Sequence, residues 1–377
     1  MQEWLSREEA LASLGVRPQT LYAYVSRGLI ERRAEAADPR RSEYRSEDIL
    51  TLTKRRARGR RTASIAASAM AWGEPAIPTR ISTVAYGQLI FRGHRATELA
   101  DTATLEDVAA LLWEQPAAAF PAAQGKDDAF HALATLIAGA KPIVGRAPAK
   151  LAKEAATAVA AIASASGAVG NGPVHQRLAR GWSLDTRGAD LVRRILVLLA
   201  DHELNPSTFA ARVAASTGAP MAACLMAGLA TLSGPKHGGA GIALAALAAE
   251  ARAGGVEAAV TRWLAARHQL PGFGHPLYPN GDPRAAALLP LVAVDPILAA
   301  LRDAVADATE ALPNIDFALL AISTAIGLPV DAPLRLFATA RGIGWAAHAI
   351  EQSASGALIR PRGRYIGATV NAPATGD

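Results

Sequence analysis

The chain has 377 residues, with 51% hydrophobic and 19% charged; this allows two or three domains with a large core and excludes disordered or collagen-like chains. Its single cysteine, Cys224, excludes an intrachain disulfide or a cysteine metal cluster, and the setting expected is a reducing cytoplasm. The net charge of +6 calls for an anionic partner, which a whole-chain sum does not locate. Nearly a quarter of the residues are alanine and only 5% are aromatic, so the expected fold class is all-α. No run approaches the roughly 18 apolar residues of a membrane span. The start, Met1 to Glu9, lacks the basic-then-apolar order of a signal peptide, so no membrane association is expected.

Residues 1–62 hold 14 Lys and Arg against 9 Asp and Glu, whereas residues 63–377 hold 25 against 24. The basic excess belongs to a small head. There Ser6-Arg7-Glu8-Glu9 has the form of a capping box, which predicts a helix through Ala10, Leu11 and Leu14 to a turn at Gly15. Pro18 then opens a second helix with Leu21, Tyr22, Val25 and Leu29 on one side. Ser46-Glu47-Asp48 opens a third, with Ile49, Leu50 and Leu52 as its apolar side. Glu31 to Arg45 is an Arg-rich, hairpin-like stretch between them. Over residues 4–56 this order resembles the winged helix-turn-helix of the MerR and excisionase type. The resemblance implies a DNA-facing set of Arg17, Gln19, Thr20 and Arg27, with Arg32, Arg33, Arg40 and Arg41 near phosphates. A head that keeps the fold and only docks or dimerises is the competing reading. Lys54 to Arg61 reads as a solvated basic linker.

In the body, Gly87 to Leu99 reads as a short hairpin or extended entry, followed by alanine-rich helices to about residue 230. Gly167 to Pro173 lacks the Lys-Ser/Thr of a phosphate loop and reads as a helix–helix connection. Four segments stand out: Asp201 to Arg212, polar within apolar surroundings; Ser233-Gly234-Pro235-Lys236-His237-Gly238-Gly239-Ala240; Pro271 to Arg284, containing Gly272-Phe273-Gly274-His275 and Asp282-Pro283-Arg284; and Asn314-Ile315-Asp316-Phe317, with Arg341 and Arg360-Pro361-Arg362 behind it. The histidines lack metal-ligand spacing, so no metal is expected, and no Gly-x-Ser-x-Gly elbow marks a serine hydrolase. What remains is neutral-pH proton donors, one carboxylate and several arginines. That set suits carbon-acid chemistry on an anionic substrate, with a base for a C–H proton, donors for developing oxyanions and arginines for carboxylates.

Together these segments resemble the citrate synthase family over most of residues 80–370. The resemblance implies a two-domain helical homodimer that closes over acetyl-CoA and oxaloacetate and uses no cofactor beyond the CoA substrate. The divisions it implies are a head at 1–62, a large domain at 63–238 and 328–377, and a small closing domain at 239–327. Carried over by motif, Asp316 is the base, His237 the donor to the thioester oxygen and His275 the donor to the oxaloacetate carbonyl. His202, Arg284, Arg341 and, from a partner subunit, Arg360 hold oxaloacetate. Two positions depart from the family pattern: no basic residue follows His275 in Pro276 to Pro279, and Gly241-Ile242 stands where Asn-Glu is common. The alternatives are 2-methylcitrate synthesis from propionyl-CoA, one methylene larger, and a DNA-binding regulator whose body senses oxaloacetate or acyl-CoA.

Overall fold

The structure, a computed structural model, describes residues 4–14, 16, 18–26, 30–34, 38, 42–50, 77–116, 119–122, 128–266, 270–363 and 367. The chain separates into two compact units, residues 1–78 and 79–377. The boundary expected near residue 62 lies outside the described residues, as do Gly15, Leu29, Leu52 and the basic run from Lys54 to Arg61.

In the first unit, strand β1 (Trp4–Ser6) leads into helix α1 (Arg7–Leu14) and α2 (Pro18–Ser26), then β2 (Arg32–Ala34), β3 (Ser42–Arg45) and α3 (residues 46–50). The capping box forms: the Ser6 amide donates to Glu9 Oε2 at 2.8 Å and the Glu9 amide to Ser6 Oγ at 3.3 Å, satisfying donors that a helix start leaves free. β3 is the centre of an antiparallel sheet ordered β1-β3-β2. Ala10, Leu14, Leu21, Ile30, Tyr44 and Ile49 form its small core. Among the residues expected to face DNA, Arg17 and Arg27 of the groove set and Arg40 and Arg41 of the phosphate set lie outside the described residues, and Thr20 is half-buried. The backbone of Gln19 is part of α2. Arg32 and Arg33 are exposed on β2; Arg33 pairs with Glu43 at 2.8 Å, and Arg45 pairs with Glu31 at 2.9 Å.

The second unit opens with the antiparallel meander β4 (Ser82–Ala85), β5 (Gln88–Phe91) and β6 (His94–Arg95). Its two-residue turns, Tyr86-Gly87 and Arg92-Gly93, place both residues at positive φ, the tight-turn geometry that matches strand twist. These two small sheets correct the all-α expectation: short runs such as Gln88-Leu89-Ile90-Phe91 alternate in burial and pair locally even in an alanine-rich chain. Helices then follow in order: α4 (Ala96–Thr102), α5 (Leu105–Trp113), α6 (Ala129–Ile137), α7 (Pro148–Ala165), α8 (Val174–Gly181), α9 (Thr186–Leu199), α10 (Pro206–Ser216), α11 (Met221–Leu232), α12 (Ala240–Gly254), α13 (Val256–Ala266), α14 (Pro283–Leu288), α15 (Pro296–Thr309), α16 (Ile315–Ala325) and α17 (Ala332–Ser355). The segment from Gly167 to Pro173 joins α7 to α8.

α17 is buried on every side from Leu336 to Ile350 and packs against α5, α7, α9, α10, α11 and α16, the signature of a core helix. Most buried side chains, from Ile81 to Ile350, form one apolar cluster around it. A second cluster joins α12, α13, α15 and α16 through Leu244, Leu247, Trp263, Leu301 and Phe317. α16 serves both: Ile315, Ala318, Leu319 and Ile322 face the first core, Phe317 and Ala321 the second. The N-terminus of α16, which carries Asp316, therefore stands at the seam of two cores.

Candidate active site

The first wall is the turn Asp201-His202-Glu203 between α9 and α10. Glu203 is held at φ 52°, an uncommon conformation for a side-chain-bearing residue, and β4 holds it there. The Glu203 amide donates to Ser82 Oγ at 3.0 Å, and Glu203 Oε1 accepts from Thr83 Oγ1 at 3.1 Å. Asn205 caps α10, its Oδ1 accepting from the amides of Ser207 and Thr208 at 3.1 and 3.2 Å, while its amide group donates to the His202 carbonyl at 3.1 Å. Strand and cap together fix the backbone of His202. Its Nε2 lies 2.9 Å from the Tyr278 hydroxyl.

The second wall is the turn from Ser233 to Gly239 that feeds α12 and carries His237. A Cβ on Gly238 would stand 2.7 Å from the Leu232 carbonyl oxygen, so glycine is needed there for close approach within the turn itself. His237 Nε2 is 2.9 Å from Ser207 Oγ, which also accepts from Trp345 Nε1 at 3.2 Å and lies 2.7 Å from Asn205 Oδ1.

The third wall ties the loop before α14 to the start of α16. The Gly274 amide donates to the Leu312 carbonyl at 2.8 Å, the Asn314 amide to the Gly272 carbonyl at 2.9 Å and the Asn314 side chain to the Gly274 carbonyl at 3.0 Å. Asn314 also caps α16 by accepting from the Asp316 amide at 3.0 Å. Asp282 adds a further clamp: it takes Arg284 Nε at 2.9 Å and Nη2 at 2.7 Å in a two-point ion pair and accepts the Ile315 amide at 3.0 Å. His275 and Asp316, far apart in sequence, are thus set by one laced pair of segments. His275 Nδ1 accepts from the Leu277 amide at 3.2 Å, so the neutral ring carries its proton on Nε2 as a donor.

Burial governs the electrostatics. It pulls the pKa of His237 down to about 4, with Arg341 adding to the effect, and that of His275 down to about 4, with Arg284 adding. His202 is held well below the usual histidine range by burial and by Arg284, Arg341 and His275. Burial raises Asp316 to about 6 against the pull of Arg284, and pushes the Tyr278 hydroxyl up to about 12. Among the described residues Arg341, 1% exposed, has one hydrogen bond, to the Leu199 carbonyl at 2.9 Å; burial lowers it to about 10 against the opposing charge of Asp201. At neutral pH the site holds three neutral imidazoles, a carboxylate of raised basicity and two buried guanidinium groups.

Six of the seven residues expected at a substrate site converge here. The His202 and His275 rings lie 5.1 Å apart; His237, His202 and Arg284 feel Arg341, and Asp316 feels Arg284. Arg360 is exposed in the extended segment after α17 and has no hydrogen-bond or ion-pair partner among the described residues. Sequence reasoning missed Tyr278, Ser207, Asp282, Asp201 and His348. Two of these, Asp201 and Asp282, stand one or two places from an expected residue, a spacing that could have flagged them. His348 sits in an alanine-rich helix with no such signal.

A family model described as "Citrate synthase, C-terminal domain" matches residues 135–362. Among curated proteins, the chain is similar to "Putative citrate synthase 2" of Mycobacterium tuberculosis (strain ATCC 25618 / H37Rv), 33% identical over 206 residues, or 51% of this chain and 55% of that protein. It is also similar to "Citrate synthase 2" of Bacillus subtilis (strain 168), 35% identical over 187 residues, or 46% of this chain and 50% of that protein. The chain spans about half the length of these curated relatives. Among solved structures, citrate synthase from Thermotoga maritima MSB8 superposes with a TM-score of 0.65 at 24% identity, covering 80% of this chain and 96% of the other. Citrate synthase from Thermoplasma acidophilum, in ternary complex with carboxymethyl coenzyme A and oxaloacetate, gives 0.67 at 23%, covering 81% and 97%. These structural likenesses establish the fold.

Proposed function

The chain belongs to the citrate synthase family, and from that premise we propose that it condenses acetyl-CoA with oxaloacetate and releases citrate and free CoA. The observation that carries the reading is the lacing of His275 to Asp316 between two buried arginines. It sets a base, a donor and carboxylate anchors around one space. In this reading Asp316 takes a proton from the methyl carbon of the thioester, whose carbonyl oxygen gains the charge and accepts a hydrogen bond from His237. The enolate carbon then attacks the ketone carbon of oxaloacetate, and the ketone oxygen accepts from His275 Nε2–H. Water finally cleaves the citryl thioester to citrate and the CoA thiol.

His202, Arg284 and Arg341 hold the oxaloacetate carboxylates, and Arg360 serves the site of a partner subunit in a homodimer. Segment 239–327 closes over the substrates against segments 63–238 and 328–377. No resident cofactor or metal enters these steps. The test is thiol release from acyl-CoA with oxaloacetate present: acetyl-CoA is expected to give the higher kcat/KM, and a preference for propionyl-CoA would convert the assignment to 2-methylcitrate synthesis. DNA binding by residues 1–62 is a separate proposal that rests on their charge. Salt-sensitive DNA binding lost on replacing Arg17 and Arg27 would support it, and no binding at low salt would leave a docking module.

A further inference from the structure

Behind the substrate-facing arginines lies a buried chain of charges that the steps above do not use. Arg212, 2% exposed, donates to Gln352 Oε1 at 3.0 Å, to Glu351 Oε2 at 2.7 Å and to His348 Nδ1 at 3.0 Å. Arginine can only donate, so His348 Nδ1 is an acceptor and the neutral ring carries its proton on Nε2. That nitrogen points at Asp201 Oδ2, 3.3 Å away, which also accepts the Ser82 hydroxyl. His348 and Asp201 are both fully buried. Burial disfavours the Asp201 carboxylate, yet His348, Arg341 and Ser82 outweigh it and hold the group below its ordinary pKa. The other oxygen, Oδ1, is buried with no hydrogen-bond partner.

The two arginines of the site are balanced differently. Arg284 is clamped by Asp282 in direct contact. Arg341 has no direct ion pair among the described residues; the Asp201 carboxylate, two residues past the Leu199 carbonyl that Arg341 holds and packed against Gly344 one turn along α17, balances it across a gap. A buried guanidinium is costly without a counter-charge. A carboxylate that supplies one at a distance leaves the remaining N–H groups free for a ligand. Resting on the function proposed above, we infer that Asp201 is the resident counter-ion of Arg341, a positioning residue that sets how strongly the site attracts the substrate carboxylate. It balances Arg341 in the empty site and opposes the charge of any bound anion, which favours release of a product with more carboxylates than the substrate. His348 and Ser82 act through Asp201 by keeping it ionised.

The sign of the consequence is fixed. Asp201→Asn retains the shape and an oxygen to accept from His348 and Ser82, but removes the charge. The empty protein then loses stability because Arg341 is uncompensated, and an added dianion restores it. Isothermal titration of oxaloacetate into the purified full chain, paired with thermal melting, reads both effects. The expected result is a lower melting temperature without ligand, a larger rise on adding oxaloacetate than in the wild type, and binding about tenfold tighter. Binding unchanged or weaker in the folded variant would overturn the inference, because a merely structural aspartate lowers the melting temperature without tightening the ligand. No binding by the wild type would instead overturn the functional reading on which it rests. Should Asp201→Asn not fold alone, refolding it with saturating oxaloacetate decides: recovery of folded protein supports the counter-charge role, and no recovery refutes it.

Discussion

Asp316 is the residue on which the pH behaviour turns. Its carboxyl is raised to about 6 by burial, while His237 and His275 are lowered to about 4. A base must be ionised and the donors must be neutral. As pH falls, protonation of Asp316 is therefore met first, well before either imidazole is charged. The expected profile of kcat/KM for the acyl-CoA substrate is flat above about pH 7 and falls with unit slope below about 6. An acid limb near pH 4 would mean that a carboxyl of ordinary acidity is the base. Stability runs the other way. A carboxyl whose folded pKa is raised opposes folding when ionised, so its cost is fully present above about pH 6 and disappears below the unfolded value near 4. The residue proposed as the base thus works against the fold at the pH where the proposed reaction needs it ionised.

At the scale of elements, the sequence is informative where a local rule decides the outcome. The capping box at Ser6 and Glu9, the hairpin after Tyr86 and the link from Gly167 to Pro173 each depend on neighbours in the chain, and each stands in the structure as its residues imply. The site motifs were legible for another reason: histidine, aspartate and arginine among glycine and proline stand out against an alanine-rich background. What was hidden depends on distance. Asp201 meets Ser82 from a strand more than a hundred residues earlier and His348 from a helix still farther beyond. The glycine at 344 shows the same dependence. A side chain there would drive into the Asp201 carboxylate and the Ala200 carbonyl, a constraint set by the crossing of α17 over the end of α9. The strands β1 and β4 were missed because three or four residues carry too little periodicity to read. Tyr278 was hidden for the same reason as Asp201, since its contact with His202 joins two turns far apart in the chain.

For the molecule as a whole, the charge has two origins that should not be merged. The basic surplus lies in residues 1–62, and the rest of the chain is nearly balanced at 25 basic against 24 acidic residues. The anion binding proposed for the larger unit would therefore come from placement, with Arg284 and Arg341 buried where water is scarce and their attraction is strengthened. Two apolar cores that share α16 put the base at their seam, so movement of one core against the other would open or close the space around Asp316. Among the described residues no helix is long and apolar enough to cross a membrane. The central claim is that the Asp316 carboxylate is the base of a carbon–carbon condensation. The direct measurement is citrate formation by Asp316→Ala beside oxaloacetate binding by the same protein. The account predicts that turnover falls by about a thousandfold or more while binding, held by Arg284 and Arg341, persists; turnover close to that of the wild type would contradict it.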